Sequence, residues 1–212
     1  MDRSTLASTS SRLRQSLLLT TALAVTACGP YRETELQKAV KAHDATAVKR
    51  LLEAGAPLES SWAELLPPGR LAIVNVTPHE PESIEVLRLL TAAAPNVDEF
   101  LHQSFSLNCR KTPCHRPTTV EHVSRHRSIE AVQVLIDAGL NLRTQGVTNA
   151  LVYAIAEDDD AMARFFVEAG AAVDGWADAQ SNRFVDSISV LEAARRKENV
   201  ALVDWLVAKG AR

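Results

Sequence analysis

Aromatic residues are scarce in this chain: three tryptophans, two tyrosines and five phenylalanines among 212 residues. A core with so few rings must close on small side chains, and the abundant alanine fits closely packed short helices. Only eight glycines are present, and none gather into a loop that would cradle a phosphate. No nucleophile stands in a recognisable arrangement with a base, and no paired carboxylates occur at a meaningful spacing. Serine, histidine and aspartate are scattered as in any chain. An excess of one charge is also missing, with 23 basic and 26 acidic residues. A nucleic-acid partner would want a concentrated basic face. These absences predict a non-enzymatic protein that holds no cofactor and no metal and binds no nucleic acid.

The start of the chain has its own pattern. Arg3, Arg12 and Arg14 form a basic region, and an apolar stretch runs from Leu17 to Val25. That stretch is too short to span a bilayer. It ends in Val25-Thr26-Ala27-Cys28, which resembles the lipobox of bacterial lipoprotein signal peptides. The resemblance implies a cleaved signal peptide over residues 1–27, acylation of Cys28, and a tether over 28–33. In that family an aspartate after the cysteine favours retention in the inner membrane. Gly29 stands there instead, so the expected location is the outer membrane facing the periplasm. Loss of Asp2, Arg3, Arg12 and Arg14 with the leader takes the 23 basic and 26 acidic residues to 20 and 25, a net charge of −5. Such a chain leaves room for a basic protein partner.

With Cys28 carrying lipid, Cys109 and Cys114 remain as a pair in an oxidising compartment. Pro113 helps the segment between them turn back on itself. The favoured reading is a disulfide closing this small loop, which contributes at most ~2 kcal/mol. The rival is a metal site of Cys109, Cys114 and His115 flanked by His102 and His122. The tight Cys/His spacings of zinc sites are absent.

From residue 34 onward the chain repeats itself. Leu51-Leu52-Glu53-Ala54-Gly55-Ala56 returns with variations at Leu135–Gly139, Phe166–Ala171 and Leu206–Ala211, and at Leu90–Ala94 with Ala94 in place of glycine. Nineteen residues separate Leu36 from Gly55, Val120 from Gly139, Leu151 from Gly170 and Leu191 from Gly210. Apolar residues within each copy recur at helical spacing. Each copy therefore predicts a helix, a tight turn and a second helix ended by glycine. Thr34, Thr118, Asn149 and Ser189 are expected N-caps of the first helices. In Glu157-Asp158-Asp159-Asp160 the acids are placed to cap a second helix, and the alternating ligands of a calcium loop are missing.

This pattern resembles the ankyrin repeat. Thr34-Glu35-Leu36-Gln37 with Ala39 matches the family's start, and Val48 to Ala56 matches its outer helix and Gly-Ala tail. The matching outer helices of later copies are Ile84–Leu90, Ile129–Ile136 and Val200–Val207. Proline and histidine of the family's Thr-Pro-Leu-His start are missing throughout. His43, Arg127, Asp158 and Glu198 stand where the family has its turn glycine. The resemblance implies an all-α solenoid of about five helix-turn-helix repeats over residues 34–212, monomeric, working by binding another protein.

The terminal marks at 55, 94, 139, 170 and 210 lie 39, 45, 31 and 40 apart, against ~33 for a regular unit. Three connections are therefore enlarged: Pro57 to Gly69, Asp98 to Pro117 and Gly175 to Ile188. They hold most of the apolar residues that the repeats leave unexplained, including Trp62, Phe100, Phe105, Trp176 and Phe184. Loops of a solenoid fall on one side, often the binding side, so Trp62 and Trp176 are the candidate anchors. The plainer alternative is that these side chains fold back over the core. Polar contacts are expected from the hairpin tips, at Lys41, Arg125, His126, Glu157, Arg196 and Lys197. Histidines gathered in the second and third copies fit either pH-sensitive binding or surface positions with no special role. Two roles fit such a binder. One is an immunity protein that neutralises a secreted antibacterial toxin in the periplasm. The alternative is an envelope scaffold or stress adaptor.

Overall fold

The computed structural model describes residues 33–58, 80–94, 118–178 and 186–212. Cys28, Trp62, Cys109 and Cys114 lie outside the described residues, as do most of the first two enlarged connections. Glu33 to Arg212 forms one compact unit. Its described part is mostly helical: α1 (Glu35–Lys41), α2 (Ala45–Glu53), α3 (Pro81–Ala93), α4 (Thr119–Ser124), α5 (Ile129–Asp137), α6 (Gln145–Ala156), α7 (Asp160–Ala169), α8 (Val190–Arg196) and α9 (Val200–Ala208). A two-residue ribbon precedes α8, with β1 (Trp176–Ala177) antiparallel to β2 (Ile188–Ser189).

Successive helices pair across tight turns: α1 with α2, α4 with α5, α6 with α7, and α8 with α9. First helices α4, α6 and α8 pack side by side in one row, and α2, α3 and α5 pack in a second. The core lies between the rows. It is made of aliphatic side chains such as Leu87, Leu90, Leu135, Leu151, Ile155 and Leu202, with one large ring, Phe166.

Caps fix where each helix begins. Thr34 and Thr118 form capping boxes with Gln37 and Glu121, and Ser189 accepts from the Glu192 amide. Asp44, Ser128, Asp159 and Asn199 accept from the amides of Ala47, Ala131, Met162 and Leu202 to start the second helices. Each cap contributes about 1 kcal/mol.

Asn149 is not an N-cap. It lies inside α6, which starts after Thr144. The added turn buries Val147, and Gly146 lets the helix pass Thr118: a Cβ on residue 146 would sit 2.5 Å from the Thr118 hydroxyl.

All four tight turns share one conformation. His43, Arg127, Asp158 and Glu198 have φ of 54–58°, in the left-handed region. Twelve residues after each, Gly55, Gly139, Gly170 and Gly210 take positive φ as well. The fifth terminal mark differs: Ala94 is extended, with φ −66° and ψ 124°. Proline follows it, and the residue before a proline is pushed out of the helical region.

A side chain in the left-handed region costs about 1 kcal/mol. Glu198→Gly is accordingly expected to raise stability by about 0.5 kcal/mol, since glycine's larger unfolded-state entropy offsets part of the relief. Urea unfolding of both proteins measures the difference. A lower midpoint in the variant would mean that the Glu198 side chain stabilises more than its backbone costs.

Candidate functional site

Among the described residues, two regions carry those that the sequence singles out: the hairpin tips and the ribbon. They lie at opposite ends of α6. Gln145, its first residue, donates to the Trp176 carbonyl at 2.6 Å, whereas Glu157 is its C-cap. Twelve residues of helix span about 18 Å.

At the tips, neighbouring hairpins hold one another. Arg127 Nη2 donates to the Glu157 carbonyl at 2.9 Å. Lys197 Nζ donates to the Ala156 carbonyl at 3.1 Å and to Asp158 Oδ2 at 2.8 Å. The last carbonyls of α6 thus receive cations from the hairpins on both sides, where the helix dipole favours positive charge. His43 Nδ1 lies 2.7 Å from Glu80 Oε2, and Asn199 Nδ2 donates to both Asp160 carboxylate oxygens at 2.9 Å. Three of the four left-handed positions therefore carry a side chain or carboxylate used between hairpins, which glycine would forfeit.

The other tip residues also have neighbours. Lys41 pairs with Glu33. The Arg125 guanidinium lies over the Tyr153 ring, 4.9 Å from its centroid. Arg196 Nε donates to Glu192 at 3.2 Å. His126 meets His122 edge to face, ring centroids 5.3 Å apart. Lys197 is thus a clamp between hairpins before it is anything else. Sequence reasoning could not see this, because its acceptors lie 41 and 39 residues away.

Burial, with smaller contributions from His126 and Arg125, pushes the His122 imidazole down to about 4. Burial lowers His126 as well. An unfolded histidine titrates near 6.5, so between pH 6.5 and 4 the unfolded chain takes up a proton that the folded chain refuses. Stability is full above this window and is lost as pH falls through it. Because His122 is only partly buried, solvent screening brings the expected loss to about 1–2 kcal/mol. Urea midpoints at pH 7.5 and 4.5 should fall further for the wild type than for His122→Gln. Equal falls would place the acid sensitivity elsewhere.

The ribbon is pinned to the first-helix row. Asn149 Oδ1 accepts from the Asp178 amide at 3.1 Å and from Gln145 Nε2 at 2.9 Å. Its Nδ2 approaches Asp178 Oδ2 at 3.4 Å. The Gly175 carbonyl accepts from the Val190 amide at 3.2 Å. A Cβ on Gly175 would stand 2.7 Å from Thr148 Cγ2, so glycine permits this close approach. Ala177 and Ile188, paired in register, are buried, whereas Trp176 is 63% exposed. The indole is thus presented outward on a fixed backbone and does not cover the core. Sequence reasoning missed Gln145 and gave Asn149 the role of an N-cap, because what both hold lies about 30 residues later.

Among the described residues, no three His, Cys, Asp or Glu side chains are placed to hold a metal ion. A cavity of about 310 Å³ lies between α3 and α5, lined by Arg88, Thr91, Ala92, Val134, Asp137 and Ala138. Its carboxylate, on Asp137, accepts from Gln133 at 2.7 Å. No protein-family model matches the chain, and no curated protein matches it.

Proposed function

We propose that this chain is a non-enzymatic ankyrin-type repeat lipoprotein, anchored through Cys28 and facing the periplasm, that works by binding another protein. The ankyrin reading is supported by the recurrence of one hairpin. Four turns share a left-handed residue, each followed twelve positions later by a left-handed glycine. Helices α4, α6 and α8 form one row and α2, α3 and α5 another, as stacking of hairpins would give. The binding reading is carried by Trp176: a large apolar ring left in solvent on a backbone fixed by Gln145 and Asn149. Rigid exposed aromatics are preferred interface anchors.

Neutralisation of a secreted antibacterial toxin is the role that fits this binder and its anchor best, because the lipid holds it where such a toxin arrives. An envelope scaffold is the alternative. The test is protection: cells producing the chain should survive delivery of a toxin encoded beside its gene, and the purified pair should bind saturably. A gene flanked only by envelope-assembly genes, with no such protection, would overturn the immunity role. Failure to bind any protein saturably would overturn the binding role altogether.

A further inference from the structure

The described part of the ribbon and its approaches, residues 171–178 and 186–189, contains Asp174, Asp178 and Asp186 and no lysine or arginine, and the one cation of the connection between them, Arg183, leaves the whole stretch net acidic. All three aspartates are exposed, and Trp176 stands between the first two in sequence. The backbone beneath them is held at Gly175, Trp176 and Asp178 by α8 and α6. With the backbone already held, only the rotation of the indole itself remains to be fixed on binding. Its face attracts cations, guanidinium above all, and exposed carboxylates on the same ribbon add to that attraction. The other described indole already takes such neighbours: Arg164 lies over Trp205 with its guanidinium 4.6 Å from the ring centroid, and Lys209 lies 5.4 Å from it. Trp176 offers the same face, and no cation among the described residues lies over it.

We propose that the ribbon docks a basic segment of the partner protein, with an arginine laid over Trp176 and the exposed carboxylates of Asp174 and Asp186 on the same ribbon adding to the attraction. The proposal rests on the protein-binding reading and names the chemistry of the partner's contacting surface. A second copy of this chain is a poorer occupant, because two acidic ribbons would repel each other.

The full chain, labelled with 5-fluorotryptophan and kept in detergent, gives one resonance each for Trp62, Trp176 and Trp205. Titration at low salt with a blocked arginine–glycine pentapeptide should shift the Trp176 resonance saturably. The glutamate counterpart should leave it in place. Calorimetric affinity for the arginine peptide should fall tenfold or more in Trp176→Ala and about fivefold in Asp174→Asn/Asp186→Asn, with melting temperatures unchanged. Equal response to the two peptides, or unchanged affinity in Trp176→Ala, would overturn the proposal. So would a Trp176 shift driven by protein concentration alone, which would assign the ribbon to a second copy. If a partner protein binds Trp176→Ala as tightly as wild type, the ribbon proposal falls and the protein-binding reading stands. If the wild type binds no protein while the peptide results hold, the binding reading falls instead.

Discussion

Replacing Phe166 by alanine is expected to cost about 3–5 kcal/mol, the range for truncating a buried aromatic ring. Phe166 is fully buried and is the largest side chain in the described core. It sits on α7, facing inward, with the Phe165 ring 6.2 Å away. Its carbonyl accepts from the Ala171 amide at 2.9 Å just beyond the left-handed Gly170, so the ring also lies where the helix is closed off. A core of short aliphatic side chains can collapse only partly into the space the ring leaves, and the cavity adds to the lost transfer energy. Phe165 is partly buried, and Phe165→Ala should cost about 1–2 kcal/mol, in proportion to the smaller area it removes from water. Stability in a stack of repeats is close to a sum of each repeat and its two neighbouring interfaces. The loss at Phe166 should therefore open α6 to α9 before α1 and α2. Hydrogen exchange read amide by amide would show faster exchange in α6, α7, α8 and α9. Uniform acceleration across the chain would mean that the stack unfolds as one unit, and a loss below 1 kcal/mol would mean that the core repacks around the site.

Much of this arrangement is legible in the sequence, because its determinants are local. The left-handed glycines at 55, 139, 170 and 210, the caps at Thr34, Thr118 and Ser189, and the turns at His43, Arg127, Asp158 and Glu198 each depend on a few adjacent residues. Positional likeness failed at Asn149. It falls in register with Thr34, Thr118 and Ser189, yet its amide is used for contacts with Asp178, 29 residues on. The helix could then begin earlier, because Gly146 lets it lie against Thr118. The ribbon left no periodic signal, since strands of two residues are too short to alternate. Arg125 and Lys197 read as free contact residues because the groups they meet are distant in sequence, whereas Lys41 and Arg196 meet the nearby Glu33 and Glu192. Lys197 is the clearest instance: its neighbours Arg195 and Arg196 are exposed, while it is partly buried against α6.

Loss of the Cys28 thiol is expected to move the protein from the membrane fraction to the soluble fraction almost completely. The motive is Val25-Thr26-Ala27-Cys28 after a basic start and a short apolar stretch. One acyl chain gives only marginal, reversible binding, with an association constant of about 10⁴ M⁻¹. The several chains carried by a processed lipoprotein cysteine multiply that grip, so the wild type should stay bound through washing with high salt. Serine at position 28 offers no thiol for the first transfer, and all the chains are lost together. No helix among the described residues is long and apolar enough to cross a membrane. The repeat region itself should be unaffected, so melting curves of released Cys28→Ser and detergent-extracted wild type should coincide. Labelling with radioactive palmitate should mark the wild type alone. A Cys28→Ser protein that pellets with membranes to the wild-type extent would show that the anchor lies elsewhere. Palmitate on that variant would show that another residue is acylated. In either case the proposed placement of the protein in the envelope would lose its basis.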